Sequence, residues 1–180
     1  EGVKGSALIL GGTRSGKSTF AEALLSDEPG VSYVATSEVR PDDPEWVERL
    51  RIHQARRPSH WETVETIDLA AELRRDDTTP MLVDCLGVWL TRLLDDGCWD
   101  RDPEALGRLE NRLEEFLAAL RATRRPVVFV SNEVGLGVVP ATSSGRLFTD
   151  QLGRLNMRVA ALVDRVWLCV AGIPVPVKGA

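Results

Sequence analysis

Ala7-Leu8-Ile9-Leu10-Gly11-Gly12-Thr13-Arg14-Ser15-Gly16-Lys17-Ser18 decides the fold. Four apolar residues in a row read as a buried strand. They run straight into G-x-x-x-x-G-K-[ST], and the segment from Lys17 to Leu25 reads as the helix that follows. Strand, glycine loop and helix in that order form the context in which this motif cradles a triphosphate. The loop amides point at phosphate oxygens, helped by the positive end of the helix. Lys17 is the candidate for the β- and γ-phosphates, and Ser18 offers its hydroxyl to magnesium.

Outward from the loop, apolar runs alternate with helix-period segments, the signature of a mostly parallel α/β sheet with helices on both faces. Strands are expected at 31–35, 61–65, 81–83, 126–130, 166–170 and 175–177, the last an antiparallel C-terminal edge. Helices are expected over 43–57, 68–75, 86–94, from Pro103 behind an Asp102 cap to about Arg121, and along the face Phe148, Leu152, Leu155, Val159, Leu162. Residues 1–5 read as a tail, residues 6–180 as one nucleotide-binding domain, and the loops at 95–101 and 134–145 as candidates for flexibility.

Composition narrows the class. With 180 residues and 43% hydrophobic content the chain suits one sizeable core, and a net charge of −5 argues against a broad nucleic-acid-binding face. Cys85, Cys98 and Cys169 lie far apart with no metal-like spacing, so they read as reduced thiols of a cytoplasmic protein, two of them core residues beside strands. No apolar run approaches the ~20 residues of a membrane span.

A second carboxylate is expected to organise magnesium with Ser18. Asp84, at the end of Met81-Leu82-Val83, is the candidate, and Glu133 after the strand at 127–130 is the weaker alternative. Both histidines fall in Arg51-Ile52-His53-Gln54-Ala55-Arg56-Arg57-Pro58-Ser59-His60-Trp61. His53 stands among Arg51, Arg56 and Arg57, a basic setting suited to polyphosphate, where an imidazole could attack phosphorus. It also shares a helical face with Trp46 and Leu50, as a packing residue would. On spacing alone both readings stand. A zinc pair is disfavoured, because His53 and His60 are separated by a proline and lack further clustered ligands.

These blocks together resemble a known family, the bifunctional adenosylcobinamide kinase / adenosylcobinamide-phosphate guanylyltransferases of cobalamin biosynthesis, from about Ala7 to Lys178. The resemblance is carried by the glycine loop, Tyr33-Val34-Ala35-Thr36-Ser37, the segment from His53 through Trp61 to Glu65, and Leu82-Val83-Asp84-Cys85-Leu86. It continues through Ser131-Asn132-Glu133-Val134-Gly135-Leu136-Gly137-Val138-Val139-Pro140 and the pattern Phe148, Asp150, Gly153, Asn156.

The resemblance implies a recombinase-like P-loop fold, a homotrimer and two reactions. Adenosylcobinamide is phosphorylated by ATP or GTP. Its phosphate then takes GMP from GTP through a guanylyl-histidine. By position in the motif, His53 is the implied nucleophile. The implied nucleotide contacts are Gly11, Gly12, Thr13, Arg14, Ser15, Gly16, Lys17, Ser18, Ala35, Thr36, Ser37, Gln54, Ala55, Arg56, Arg57, Glu65 and Asp84. Gly87, Arg92 and Met157 stand where relatives more often have Thr, Asn and Gln. Ile52 stands where some relatives carry a second histidine. His60 has no assigned role. The competing readings are a plain small-molecule kinase, which would not need His53, and a nucleotide-dependent switch, which would need a partner surface.

Overall fold

The computed structural model of the chain describes residues 5–179. The elements are β1 (Ser6–Gly11), α1 (Lys17–Leu24), β2 (Ser32–Ala35), α2 (Pro44–Arg56), β3 (Glu62–Glu65), α3 (Leu69–Arg74), β4 (Met81–Asp84), α4 (Leu86–Leu94), α5 (Pro103–Ala122), β5 (Val127–Asn132), α6 (Ser143–Leu162), β6 (Arg165–Val170) and β7 (Ile173–Lys178). Of the tail expected at 1–5, only Gly5 lies within the described residues. It already belongs to the ladder, its carbonyl accepting from the Val127 amide at 3.2 Å.

The strands form one seven-stranded sheet in the order β3-β2-β4-β5-β1-β6-β7. All neighbours are parallel except β6 and β7, the expected antiparallel edge. The inner strands read as unbroken apolar runs because both faces are covered. Along β1, Leu8 joins the layer packed by α3, α4, α5 and α6, while Ala7 and Ile9 turn to the layer under α1. Pro174 and Pro176 occupy the outermost strand, where missing backbone donors are tolerated.

The segment at 95–101 is tied down rather than free. Cys98 is buried and its thiol lies 3.4 Å from the Ala105 carbonyl oxygen, while the Trp99 indole donates to Asp95 at 2.6 Å. Cys98 and Cys169 are buried and Cys85 half-buried, and all three are free thiols. The expectation of two core cysteines beside strands fits Cys169; the second buried one follows a helix. In the 134–145 segment, by contrast, Leu136, Val138 and Val139 are exposed.

Two polar networks hold opposite ends of the sheet. At the carboxyl end, Ser131 donates to Asn156 at 2.6 Å and the Asn156 amide donates to the Asn132 carbonyl at 3.0 Å, locking α6 to the tip of β5. At the amino end, the fully buried Arg125 side chain donates to Thr79 O, Glu72 O and Ser32 Oγ, within 3.7 Å of the Glu72 and Asp77 carboxylates. Removing one partner strands buried charge, so Arg125→Met is expected to cost about 3–5 kcal/mol in urea denaturation. Turnover per folded molecule should stay normal, because Arg125 lies at the end of the sheet away from the glycine loop. A stability loss under about 1 kcal/mol would show that the network is dispensable.

Candidate active site

The loop between β1 and α1 is shaped by three local requirements. Gly16 takes φ 87, and a Cβ there would meet Gly172 Cα at 3.0 Å, where the β6–β7 turn closes on the loop. Gly172 N donates to the Ser15 carbonyl at 2.9 Å, so this turn buttresses the loop. At Gly11 a Cβ would collide with Ser15 Oγ, which is buried without a partner among the described residues. Lys17 Nζ lies across the loop, donating to the Gly12 carbonyl at 3.0 Å.

Beside the loop is a cleft of about 280 Å³. Among its lining residues are Ser18, Ala35, Ser37, His53, Arg57 and Asp84. These six come from the first turn of α1, the end of β2 and the residues just past it, the end of α2, and the tip of β4. Residues far apart in sequence therefore converge at the carboxyl ends of the parallel strands, where ligands bind in such sheets.

Helix α2 delivers His53. Asp43 caps it, accepting from the Glu45 and Trp46 amides at 3.0 and 3.2 Å, and Pro44 opens the first turn. Arg57, ahead of Pro58, leaves the helix in an extended conformation (φ −84, ψ 148). The helix buries no residue; it offers the half-buried stripe Trp46, Leu50 and His53 to the cleft. Arg56 bridges α2 to Glu22 of α1 at 3.3 Å and sits 3.4 Å from His53 Nδ1.

Arg57 bends inward. Its guanidinium lies 3.6 Å above the Tyr33 ring, it is only 8% exposed, and Nη2 has no partner among the described residues. A buried unpaired guanidinium nitrogen is costly unless an anion completes it, and a phosphate is the anion it fits. Tyr33 in turn donates its hydroxyl to Asp84 Oδ2 at 2.8 Å. Burial first, and then the Asp84 charge, raise the phenol well above its ordinary range and keep it a donor. Burial likewise pushes the Cys85 thiol up, with Asp84 adding to it, so this cysteine in the cleft stays neutral.

Ser18 and Asp84 provide two hard oxygens on one cleft, which suits magnesium held mainly by phosphate and water. Among the described residues no three His, Cys, Asp or Glu side chains form a metal cluster. β5 stands between β1 and β4, so Asp84 addresses the loop across one intervening strand. Glu133 instead accepts from the Gly135 amide at 2.8 Å, serving its own turn.

The other expected contacts divide. Thr36 is fully buried, and its hydroxyl bonds to Cys85 N at 3.1 Å and Cys85 O at 2.9 Å, tying β2 to the end of β4. Gln54 and Ala55 are exposed on α2, and Glu65 is exposed at the end of the edge strand β3; none of the three lines the cleft. Gly12, Thr13 and Arg14 are exposed at the loop, Arg14 with φ 56. Arg51, expected beside His53, faces outward and pairs with Glu48 at 2.6 Å.

A family model described as cobinamide kinase / cobinamide phosphate guanyltransferase matches residues 7–177. The chain belongs to that family. It is an enzyme of the kinase and guanylyltransferase class that the family comprises. It is 41% identical, over 95% of its length and 98% of the relative's, to the bifunctional adenosylcobalamin biosynthesis protein CobU of Salmonella typhimurium. It is 43% identical to the corresponding CobP of Pseudomonas aeruginosa, with 96% of each chain covered. Among solved structures, an ATPase from a type III secretion system of pathogenic bacteria superposes with a TM-score of 0.55 at 13% identity. That match covers 97% of this chain and 57% of the ATPase chain, and at that identity it speaks to the P-loop fold alone.

Of the three positions expected to differ from the family's usual residues, Gly87 and Arg92 have local accounts. A Cβ at Gly87 would meet Asn132 Oδ1 at 2.8 Å, so glycine here leaves room for that side chain. Arg92 reaches from α4 to the carbonyls of Thr36 and Ser37, at 3.0 and 3.4 Å, and braces the cleft wall. Met157 is exposed, and nothing around it explains the change. Sequence reasoning did not single out Tyr33 or Arg49 as site residues. Arg49 was findable, being three residues past Trp46 and four before His53 on the stripe that faces the cleft. Tyr33 carried no such signal.

Proposed function

We propose that this chain performs two successive transfers on one corrinoid at the cleft beside the glycine loop. In the first, the hydroxyl of adenosylcobinamide's aminopropanol arm attacks the γ-phosphorus of ATP or GTP. A P–O bond forms, the bond to the β-phosphate oxygen breaks, and the hydroxyl proton is released. In the second, the lone pair of the His53 imidazole attacks the α-phosphorus of GTP, forming a P–N bond as pyrophosphate leaves. An oxygen of the corrinoid phosphate then takes the guanylyl group, breaking the P–N bond and giving adenosylcobinamide-GDP.

The observation that carries this reading is His53 on the same cleft as Ser18, Asp84 and the unpaired Arg57 nitrogen. A kinase alone has no use for an imidazole there. Splitting one exchange into two displacements at phosphorus is what a histidine nucleophile offers. Lys17 and the loop amides hold the phosphates, and Arg57, with Arg56 near His53, offsets charge that builds up around the α-phosphorus. Magnesium, held by Ser18 and Asp84, would supply neutralisation of phosphate charge.

The proposal includes self-association as a trimer, for which the exposed Val170, Ile173, Val175 and Val177 of the outer hairpin offer apolar surface. It also includes work in the cytoplasm, a compartment that keeps free thiols reduced. Incubation with adenosylcobinamide, ATP, GTP and magnesium, followed by mass analysis of the corrinoids, is expected to show the phosphate first and the GDP derivative second. Accumulation of the phosphate alone, with GTP present, would reduce the chain to a kinase.

A further inference from the structure

Tyr33 touches both groups on which the phosphate side of the cleft depends, though it belongs to neither the loop nor the histidine segment. Its hydroxyl donates to Asp84 Oδ2 at 2.8 Å, and its ring carries the Arg57 guanidinium at 3.6 Å. It is only 6% exposed and packs among Ile9, Leu25, Trp61 and Leu82. Its place in β2 is set by the ladder with β4, in which Tyr33 faces Leu82 and Ala35 faces Asp84. A phenylalanine would fill the same apolar space. The hydroxyl is therefore the informative atom, since a buried hydroxyl is costly unless bonded, and this one is bonded to a carboxylate.

We propose that Tyr33 is a positioning residue: its hydroxyl fixes the Asp84 carboxylate so that Oδ1 is left for a cation shared with Ser18, and its ring holds Arg57 with Nη2 free for phosphate. The inference rests on the reading of Asp84 as a magnesium-organising group and Arg57 as a phosphate ligand. One side chain thereby couples the metal side of the cleft to its guanidinium side. The two contacts use different parts of the residue, so two substitutions separate them. Tyr33→Phe keeps the ring under Arg57 and loses only the hydroxyl. Tyr33→Leu loses both.

The test is equilibrium binding of the α,β-methylene analogue of GTP, which cannot lose pyrophosphate, once in EDTA and once in magnesium. The readout is the factor by which magnesium tightens binding, alongside the metal-free affinity and a thermal melt. In Tyr33→Phe the magnesium factor is expected to fall about tenfold, as losses of groups that orient a metal ligand do, with the metal-free affinity and the melt unchanged. In Tyr33→Leu the metal-free affinity is expected to weaken as well, because Arg57 loses its platform. A Tyr33→Phe protein with the wild-type magnesium factor overturns the proposal and leaves Tyr33 a core residue. Asp84→Asn separates the two layers of the argument. If it keeps the full magnesium factor, the metal reading of Asp84 fails and the proposal falls with it. If Asp84→Asn loses the factor and Tyr33→Phe does not, only the role of Tyr33 is refuted.

Discussion

His53→Ala is expected to lose all covalent label from GTP labelled at the α-phosphate, while phosphoryl transfer to the corrinoid largely survives. Transfer of the γ-phosphoryl relies on the glycine loop, magnesium and an acceptor hydroxyl, none of which needs an imidazole. Guanylyl transfer needs a nucleophile at the α-phosphorus. The proposal assigns that role to His53, which lines the cleft together with Ser18 and Asp84. The wild-type adduct should be labile in acid and stable in base, as a phosphoramidate is. His60→Ala should still label, since His60 is exposed and sits 3.3 Å from the Glu28 carbonyl, outside the cleft lining. Acid-labile label persisting in His53→Ala would make His53 a packing residue beside Trp46 and Leu50.

The second large effect belongs to Lys17. Its ammonium already lies over the loop, 3.0 Å from the Gly12 carbonyl. Lys17→Ala is expected to weaken GTP binding by about 100-fold or more, the scale of losing a hydrogen bond to a charged group worth up to ~3 kcal/mol. Both half-reactions should vanish with it. The fold should be unaffected, because the half-buried side chain ends at the loop, on the Gly12 carbonyl. Fluorescence titration with a GTP analogue reads the affinity, and wild-type binding in the variant would remove the loop from the phosphate site.

Much of this architecture is legible along the chain, for identifiable reasons. β4 and α4 are bounded by Pro80, Asp84 and a clear helical stripe, and α5 by Asp102 and Pro103; such punctuation is local and survives without tertiary context. The loop residues and Asp84 stand out by motif and strand-end position; His53 stands out by its arginine-rich setting, while its role comes only with the family resemblance. What stays hidden is lateral. No periodicity reveals that β5 intervenes between β1 and β4, or that Tyr33 reaches Asp84, 51 positions away. Arg51 and Arg49 look alike as charges near His53; only the helical phase sends one to Glu48 and the other to the cleft. The segment at 95–101 reads as polar and mobile, yet Cys98 anchors it against α5. Thr36 lies in the right motif, but its hydroxyl is taken by the Cys85 backbone.

The central claim is that one cleft forms a guanylyl bond to His53, and intact-mass measurement of the wild-type protein after exposure to GTP and magnesium tests it most directly. The account predicts a single added GMP per chain, mapped to His53 and discharged when adenosylcobinamide phosphate is supplied. An unmodified mass after GTP and magnesium alone, in a preparation that converts the corrinoid phosphate once it is added, or an adduct mapped to any other residue, would contradict it.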